Sequence, residues 1–394
     1  MIRLVSIILF LFLLPSIAQA VLVDSGTYAG NSTDDRNITV VFDPDYCVVF
    51  DDAGGAPWFT TDDVISDTAG GSVNWRQNAV TATNRIQALG TALFQVGTDS
   101  GVNGTGTDYF WVCMQDDGGG DFEIGTYEGN ATDDRTISLG TITGTPEVVM
   151  IKNGDSTDSG AWRTASLSSN ESMPFHEFGG LRGNEIQDFS TGGFQVGTRG
   201  ETNASGETYF YIALGPGNTV DEGTYTGNGT DDRDITAPGW EPEYTQVKNS
   251  DGNDAIARTE AIGTDTSASF TFSAFTGANA IQDHISTGFE IGTADEVNTN
   301  TDTYYWYSVR DTQAAADTCT YGGTGNWSID AADNCTITAD VYVRGDVYLM
   351  ELSGTGKLFI YNNATLSVGG GQIESTSTDI DVCAGCTIEL GNDG

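Results

Sequence analysis

Positive charge is scarce in this chain of 394 residues, which has 15 lysines and arginines against 56 aspartates and glutamates and a formal net charge of −41. Its lysines are only Lys152, Lys248 and Lys357. Such a surface repels phosphate backbones, which argues against nucleic acid as a partner. Hydration in salty water and divalent-cation binding both account for the excess of acid, and composition does not choose between them.

Long apolar runs are missing beyond residue 20, so no later segment reaches the roughly 20 apolar residues of a spanning helix. The N-terminus itself has one base, Arg3, before an apolar run from Leu4 to Leu14 and the small-residue pattern Ala18-Gln19-Ala20. This pattern is typical of a secretory signal peptide, residues 1–20, that is cleaved after Ala20. We therefore predict an exported protein, extracellular or at the cell surface, with no membrane insertion after cleavage.

What the sequence does contain is one unit repeated three times. The segment GTYAGNSTDDR at 26–36 returns as GTYEGNATDDR at 125–135 and as GTYTGNGTDDR at 223–233. Each copy continues with a Pro-acidic pair, an apolar-Arg pair, the motif Phe-x-(Val/Ile)-Gly-Thr and a closing aromatic run. Short runs of Val, Ile, Tyr, Phe and Thr between Gly, Asn and Asp turns are typical of strands. The sequence predicts an all-β protein with three tandem antiparallel β-sandwich repeats, copy 1 at 21–115, copy 2 at 122–214 and copy 3 at 221–310.

The remainder, residues 319–394, changes character to very short strands separated by Gly, Asn and Asp. This pattern predicts a β-solenoid-like module or a small β-roll. It reaches Gly394 without an obvious capping element, so we expect that the module is truncated and that the chain continues. Because the linkers between copies are short, we expect the copies to form an elongated array in preference to a compact pseudo-trimer.

An even number of cysteines in an exported protein favours disulfides. Cys47 and Cys113 occur only in copy 1, both on predicted strands, which suggests that a disulfide joins those strands. The CxxC pair in the C-terminal module has no second CxxC or histidine cluster beside it, so a local disulfide is favoured over zinc or redox chemistry. The predicted disulfide cysteines are Cys47, Cys113, Cys319, Cys335, Cys383 and Cys386.

The segments Gly-Asn-x-Thr-Asp-Asp-Arg-x-Ile-Thr and Gly-Phe-x-(Ile/Val)-Gly-Thr, followed by an Asn-containing turn and Thr-Tyr-Tyr-Trp, resemble a repeat domain of unassigned role. That domain occurs in phage tail-fibre proteins and secreted microbial surface proteins, and the resemblance covers most of 26–310. The strand order also resembles the H-type lectins, whose six-stranded sandwich assembles as a trimer and binds sugars between subunits. No sugar-contacting residue carries over from that family. The signal peptide favours a cellular surface protein over a tail fibre.

Two tryptophans, each followed by an arginine, are candidate ligand-binding residues: Trp75 with Arg76, and Trp162 with Arg163. An exposed tryptophan offers a flat face on which a sugar ring stacks. Aromatic side chains on sandwich strands more often fill the core, and this is the favoured interpretation of the aromatic runs.

Oxygen-rich segments after Lys152 and Lys248 are candidate Ca²⁺ sites, because clustered oxygen ligands suit that ion. Copy 1 lacks this segment. Neither segment has the full ligand series of a calcium loop, and a solvated hairpin loop is the favoured alternative. The candidate metal ligands are Asp155, Asp158, Asp251, Asn253 and Asp254.

The Asp-Asp-Arg triplets at 34–36, 133–135 and 231–233 are either binding sites or hairpin turns, and the turn is favoured because Asp and Asn bond their own turns. A glycosylation sequon recurs just before each triplet, at Asn31, Asn130 and Asn228, which indicates an exposed turn in a glycoprotein.

Catalytic patterns are absent from the sequence. The histidines His176 and His284 occupy non-equivalent places in their copies, without a serine or cysteine partner in a recognisable motif. Phosphate loops, zinc spacings and dinucleotide fingerprints are missing, and no carboxylate pair is singled out for glycoside cleavage. We therefore predict that the protein is not an enzyme.

These patterns together favour a secreted or cell-surface tandem-repeat protein for adhesion, with an extracellular glycan or surface protein as its partner. Linked copies suit weak sites, because linkage raises avidity without new contacts. Two alternatives stay open, a purely structural spacer or coat without a ligand and the N-terminal part of a polysaccharide-processing protein.

Overall fold

The computed structural model describes residues 21–310 except 68–70, 77–83, 117–118, 177–179, 218, 264 and 271–278, together with nine strands between 327 and 390. It divides into two compact units, Met1–Thr312 and Gln313–Gly394. The predicted signal peptide and the four cysteines of the C-terminal module lie outside the described residues. Among the residues described, no helix is long and apolar enough to cross a membrane.

Each copy is a sandwich of a five-stranded and a three-stranded antiparallel sheet. Copy 1 contains β1 (Val21–Ala29), β2 (Arg36–Thr39), β3 (Tyr46–Asp51), β4 (Trp58–Thr61), β5 (Val73–Asn74), β6 (Ile86–Gly90), β7 (Leu93–Val96) and β8 (Asp108–Asp116), with α1 (Asp62–Asp67) and α2 (Ser100–Asn103). Its strand orders are β1-β8-β3-β4-β5 and β2-β7-β6. The predicted all-β fold and its sandwich repeats are confirmed.

Copies 2 and 3 repeat the same eight strands in the same two orders. Copy 2 contains β9 (Phe122–Glu128), β10 (Arg135–Ser138), β11 (Val148–Asn153), β12 (Ala161–Thr164), β13 (Met173–Pro174), β14 (Ile186–Ser190), β15 (Gly193–Val196), α3 (Gly200–Asn203) and β16 (Thr208–Leu214). Copy 3 contains β17 (Val220–Thr226), β18 (Arg233–Ile235), β19 (Tyr244–Asn249), β20 (Ile256–Thr259), β21 (Ala268–Ser269), β22 (Ile281–Ile285), β23 (Gly288–Ile291), α4 (Asp295–Asn298) and β24 (Thr303–Val309).

The two sheets of each copy enclose a core of their own. In copy 1, Tyr109, Trp111 and Cys113 point from β8 into this core, because alternate residues of a strand face opposite sides. Cys47 of β3 lies directly opposite Cys113 and forms a disulfide with it. This confirms the predicted bridge between those strands.

A second core lies on the other face of the five-stranded sheets and is shared by all three copies. The residues that follow β5, β13 and β21 meet there: Trp75 stacks on Phe175 with ring centroids 4.4 Å apart, and Phe175 contacts Phe270 at 5.0 Å. Phe270 in turn contacts Phe50 of copy 1 at 5.5 Å, so the ring of copies closes.

The expectation of an elongated array is therefore wrong, and the copies form a pseudo-trimer. The physical reason is that β3, β11 and β19 are buried on both faces, whereas one sandwich covers only one face. The uncovered faces bury each other. Backbone hydrogen bonds add to this contact, from Gly160 N to Trp75 O at 2.7 Å and from Ala255 N to Phe175 O at 3.2 Å.

The C-terminal unit is built from parallel strands in three three-stranded sheets. Its strands are β25 (Trp327–Asp330), β26 (Thr336–Ile337), β27 (Val341–Val343), β28 (Val347–Met350), β29 (Lys357–Ile360), β30 (Thr365–Val368), β31 (Ile373–Ser375), β32 (Asp379–Val382) and β33 (Thr387–Leu390). Each of the first six strands pairs with the strand three places later, which is the connectivity of a three-sided solenoid making three turns. The predicted solenoid-like module is confirmed.

Candidate functional site

The two tryptophans proposed as sugar platforms lie in the shared core. Trp75 is 1% exposed and Trp162 is 0% exposed, so neither ring has a face open to a ligand. The two are also not equivalent. Trp75 follows β5 and corresponds to Phe175, whereas Trp162 lies on β12 and corresponds to Phe59 of β4. The apolar-Arg pairs of copies 1 and 2 therefore do not occupy equivalent positions, because they lie one strand apart in the fold. The burial of both tryptophans corrects their assignment to ligand binding.

The arginines beside them organise the chain locally. Arg163 is 2% exposed, and its guanidinium donates to the carbonyl oxygens of Leu167 and Ser168 at 2.9 and 2.8 Å. Arg258 makes the same contacts in copy 3, with Ile262 and Gly263. Arg76, in copy 1, is half-buried and its backbone amide donates to Asn74 Oδ1 at 3.1 Å. Arg163 and Arg258 hold the loop between the fourth and fifth strands of their copies.

The segment proposed as a calcium loop in copy 2 already contains a cation. The Lys152 side chain is fully buried, and its Nζ donates to the carbonyl oxygens of Asn153, Ser156 and Asp158 at 2.9, 3.3 and 2.7 Å. The side chain of Asp158 accepts from Ser156 Oγ, and that of Asp155 accepts from the Thr208 amide. The loop oxygens are thus directed at the ammonium and at the loop itself.

Copy 3 repeats this arrangement, since Lys248 Nζ donates to the carbonyl of Asn253. Asn253 Nδ2 donates to the Asp295 carbonyl at 2.9 Å, and Asp254 lies 3.9 Å from His176 Nδ1 of copy 2. In the part of the chain that the structure describes, no group of three or more His, Cys, Asp or Glu side chains is placed to hold a metal ion. The predicted Ca²⁺ ligands are therefore reassigned to lysine-filled loops.

The Asp-Asp-Arg triplets form turns, as the favoured interpretation predicts. Arg36 Nη1 donates to the Ala29 carbonyl at 2.7 Å and to Asn103 Oδ1 at 3.1 Å, and Asp35 has a φ of 54°. Asn103 is fully buried, and its Nδ2 donates to the Thr33 and Gly97 carbonyls, both at 2.8 Å. The same bonds recur around Asn203 and Asn298.

These three asparagines hold the turn, a role that the sequence patterns did not assign to them. Their signal was present, because each follows its copy's Gly-Thr motif by a constant five residues. The sequon asparagines Asn31, Asn130 and Asn228 are exposed at the same turn, which confirms the predicted exposure.

A cleft of about 340 Å³ lies where copy 1 meets copy 2. Asp45 precedes β3 and Asp116 ends β8, while Glu123 and Ile124 belong to β9 of the next copy. Gly140 and Thr141, which follow β10, complete the lining. Among the described residues, the lining thus combines three carboxylates with an isoleucine and includes no base.

The carboxylates of this cleft differ in their environments. Burial alone would raise the pKa of Glu123, but hydrogen bonds from Gly140, Thr141 and Tyr211 lower it. Glu123 is therefore a fixed anion that shapes the wall. Burial raises the pKa of Asp45, although its Oδ2 accepts the Asp116 amide at 2.8 Å, and neighbouring carboxylates add to the rise. Asp45 therefore gains a proton more readily than Glu123.

Comparison with known proteins adds no relative. No protein-family model matches the chain, and no curated protein matches it in sequence. The cleft therefore has to be interpreted from its own geometry.

Proposed function

We propose that this is an exported, non-catalytic binding protein of the cell surface, which holds a neutral or cationic hydroxylated ligand such as a glycan in the cleft between copies 1 and 2. The cleft carries the proposal. Its volume of about 340 Å³ falls within the roughly 300–1,000 Å³ of small-molecule sites. Adhesion to an extracellular glycan or surface protein would follow from such binding.

The chemistry of the lining supports this ligand class. Carboxylate oxygens accept hydrogen bonds from hydroxyl groups, and hydrogen bonds to charged groups are stronger than those between neutral groups. Ile124 supplies an apolar surface for the C–H face of a sugar ring. Because no base lines the cleft in the part of the chain that the structure describes, an acidic glycan would meet like charge there, so we expect neutral and amino sugars to be preferred.

Export is supported by two observations. The N-terminal pattern is that of a signal peptide, and copy 1 contains a disulfide, a bond typical of oxidising compartments.

A glycine substitution offers a test that leaves the fold in place. A Cβ added at Gly140 would meet only Glu123 Oε1, at 3.9 Å, so the backbone has room for a side chain there, and Gly140→Phe adds a ring to the lining of the cleft. We expect the mature full-length protein to bind neutral or amino glycans on an array, and Gly140→Phe to weaken this binding by about tenfold or more, a loss of about 1.4 kcal/mol.

The matched control is Gly263→Phe in copy 3, where an added Cβ meets no atom within 4 Å. It should bind as the wild type does. Equal binding by wild type and Gly140→Phe would show that the cleft is not the site.

A structural role without a ligand is the second candidate. It is favoured by the triplicated polar residues, which bond to their own turns around Asn103, Asn203 and Asn298. This role predicts that neither the wild type nor Gly140→Phe shows saturable binding to any glycan or surface protein.

A further inference from the structure

The three copies meet at three seams that use the same positions of the fold. At each seam, the acidic residue of a Pro-acidic pair lies beside the first strand of the following copy, and the ring closes from copy 3 to copy 1. The facing pairs are Asp45 with Ile124, Glu147 with Glu222, and Glu243 with Ser25.

The seams differ in what faces the acid. Ser25 Oγ donates a hydrogen bond to Glu243 Oε1 at the seam between copies 3 and 1. Ile124 faces the cleft at the seam between copies 1 and 2. Between copies 2 and 3, by contrast, the negative charges of two carboxylates, Asp221 and Glu222, act on Glu147.

Neighbouring residues of one loop bond to the backbone of Glu147 and to the side chain of Glu222. The Ala165 amide donates to the Glu147 carbonyl at 2.9 Å. The next residue, Ser166, donates to Glu222 across the seam, from its amide at 3.1 Å and from its Oγ at 3.0 Å. The loop therefore fixes Glu222 of copy 3 beside Glu147 of copy 2.

The hydrogen bonds and positive charges around the Glu147 carboxylate compensate its burial only in part. Within the described residues, Glu147 Oε2 is buried and has no hydrogen-bond partner. Asp221 Oδ1 accepts the Glu222 amide at 2.9 Å. Arg163 is the cation that attracts Glu222, but it also faces Asp188, Glu171 and Tyr305, and its guanidinium is bonded to loop carbonyls.

We propose that the seam between copies 2 and 3 is a proton-controlled latch, which is tight when Glu147 is protonated and loosens when Glu147, Asp221 and Glu222 all carry charge. Like charges brought together at a partly buried interface repel each other, and a proton on Glu147 removes that repulsion. The latch is independent of the proposed ligand site, which lies at a different seam.

The direction of the pH dependence follows from Glu147. Burial, followed by the charges of Asp221 and Glu222, raises its pKa from 4.5 to about 7. The folded protein therefore holds a proton that the unfolded chain releases between these values. The contribution of the seam to stability is fully present below about pH 4.5 and is lost as the pH rises through about 7.

The test uses the full chain, and one of its substitutions introduces the serine that the seam between copies 3 and 1 has at the equivalent position. Glu222→Ser copies the arrangement at Ser25, and Glu147→Gln mimics the protonated acid at nearly constant volume. The readout is the hydrogen-exchange protection factor of the Ser166 amide, which donates to Glu222, at about pH 5.5 and about pH 8.5. A ¹³C titration of the Glu147 carboxyl reports its protonation directly.

We expect protection of Ser166 in the wild type to fall by about tenfold more over this range than in Glu147→Gln, because only the wild type has a carboxyl at position 147 that ionises there. The Glu147 carboxyl should titrate near pH 7 in the wild type and at lower pH in Glu222→Ser. The converse variant, Ser25→Glu, should make the seam between copies 3 and 1 sensitive to pH. Equal pH profiles in wild type and Glu147→Gln, or a wild-type Glu147 that titrates near 4.5, would overturn the latch.

Discussion

Copies 1 and 2 have the same eight strands in the same order, but their buried positions hold different chemistry. The pair that is a disulfide in copy 1, Cys47 with Cys113, is Val149 with Ala213 in copy 2. In copy 3 the same pair is Thr245 with Ser308, whose hydroxyl groups lie 2.9 Å apart. A covalent bond, an apolar contact and a hydrogen bond thus occupy one position of one fold.

An ion pair also varies between the copies, because the acid and the base exchange positions between copy 1 and copy 2. Arg85 Nε lies 3.1 Å from Asp99 in copy 1, and Glu185 lies 3.4 Å from Arg199 Nε at the equivalent positions of copy 2. By contrast, the buried asparagine of the Asp-Asp-Arg turn is the same in all three copies. The position that is identical in all three copies therefore maintains the backbone of the turn. The positions that differ between copies need only a favourable contact with their own partner in the same copy.

The largest effect is expected in the shared core, on which the pseudo-trimer depends. Phe175→Ala removes the ring between Trp75 and Phe270 and should lower the free energy of unfolding by about 3–5 kcal/mol. Urea unfolding monitored by tryptophan fluorescence measures the loss. An effect below about 1 kcal/mol would mean that the copies do not share a core.

The next effect concerns the disulfide of copy 1. Replacing Cys47 by Val and Cys113 by Ala installs the pair of copy 2 and removes a cross-link between residues 66 apart in the sequence. Such a loss typically costs about 2–4 kcal/mol, and we expect the free energy of unfolding, measured by urea titration under oxidising conditions, to fall by an amount in this range. Under reducing conditions the wild type and the double variant should unfold alike.

A smaller effect is expected where copy 1 has Phe50 and copy 2 has Lys152. Lys152→Phe leaves three loop carbonyls without their ammonium donor, which should cost about 1–3 kcal/mol in urea unfolding near neutral pH. If removal of Lys152 were neutral, the loop would not depend on the ammonium.

The same variant should change the pH dependence of stability. Burial, partly opposed by Asp158, lowers the pKa of Lys152 from 10.5 to about 8. The folded state then binds fewer protons than the unfolded chain between these values, so this contribution is present above about pH 10.5 and is lost as the pH falls through about 8. The stability of the wild type relative to Lys152→Phe should therefore increase over that interval in urea titrations at several pH values.

Residue patterns predict much of the fold. The repeat, the alternation in β8 and the change of character after copy 3 predict the sandwiches, the disulfide strands and the solenoid. The alternation in β8 also indicates the shared core, because both faces of this strand are apolar. Phe110 and Val112 lie on one face, and Tyr109 and Trp111 lie on the other. A strand with two apolar faces needs two partners, and one sandwich provides only one.

The candidate site was less predictable, because its properties depend on burial. A Trp-Arg pair has the same sequence signature whether its ring is in water or in a core, and the tryptophan lies in the core at both Trp75 and Trp162. A lysine among oxygen-rich residues resembles a metal loop until its ammonium is found inside it. The cleft at Asp45 and Glu123 joins two copies, and local sequence does not show which copies meet.

The pairing of the first and last strands within each copy has one more consequence. Val21 lies opposite Asp116, Phe122 opposite Leu214 and Val220 opposite Val309, so each copy begins and ends at the same edge of its sheet. Duplication of such a unit needs only a few connecting residues, and each new unit buries the apolar face of the one before it. Because the third unit returns to the first, at Phe270 and Phe50, the described parts of the three units close on one another, and insertion of a fourth unit would have to break this contact.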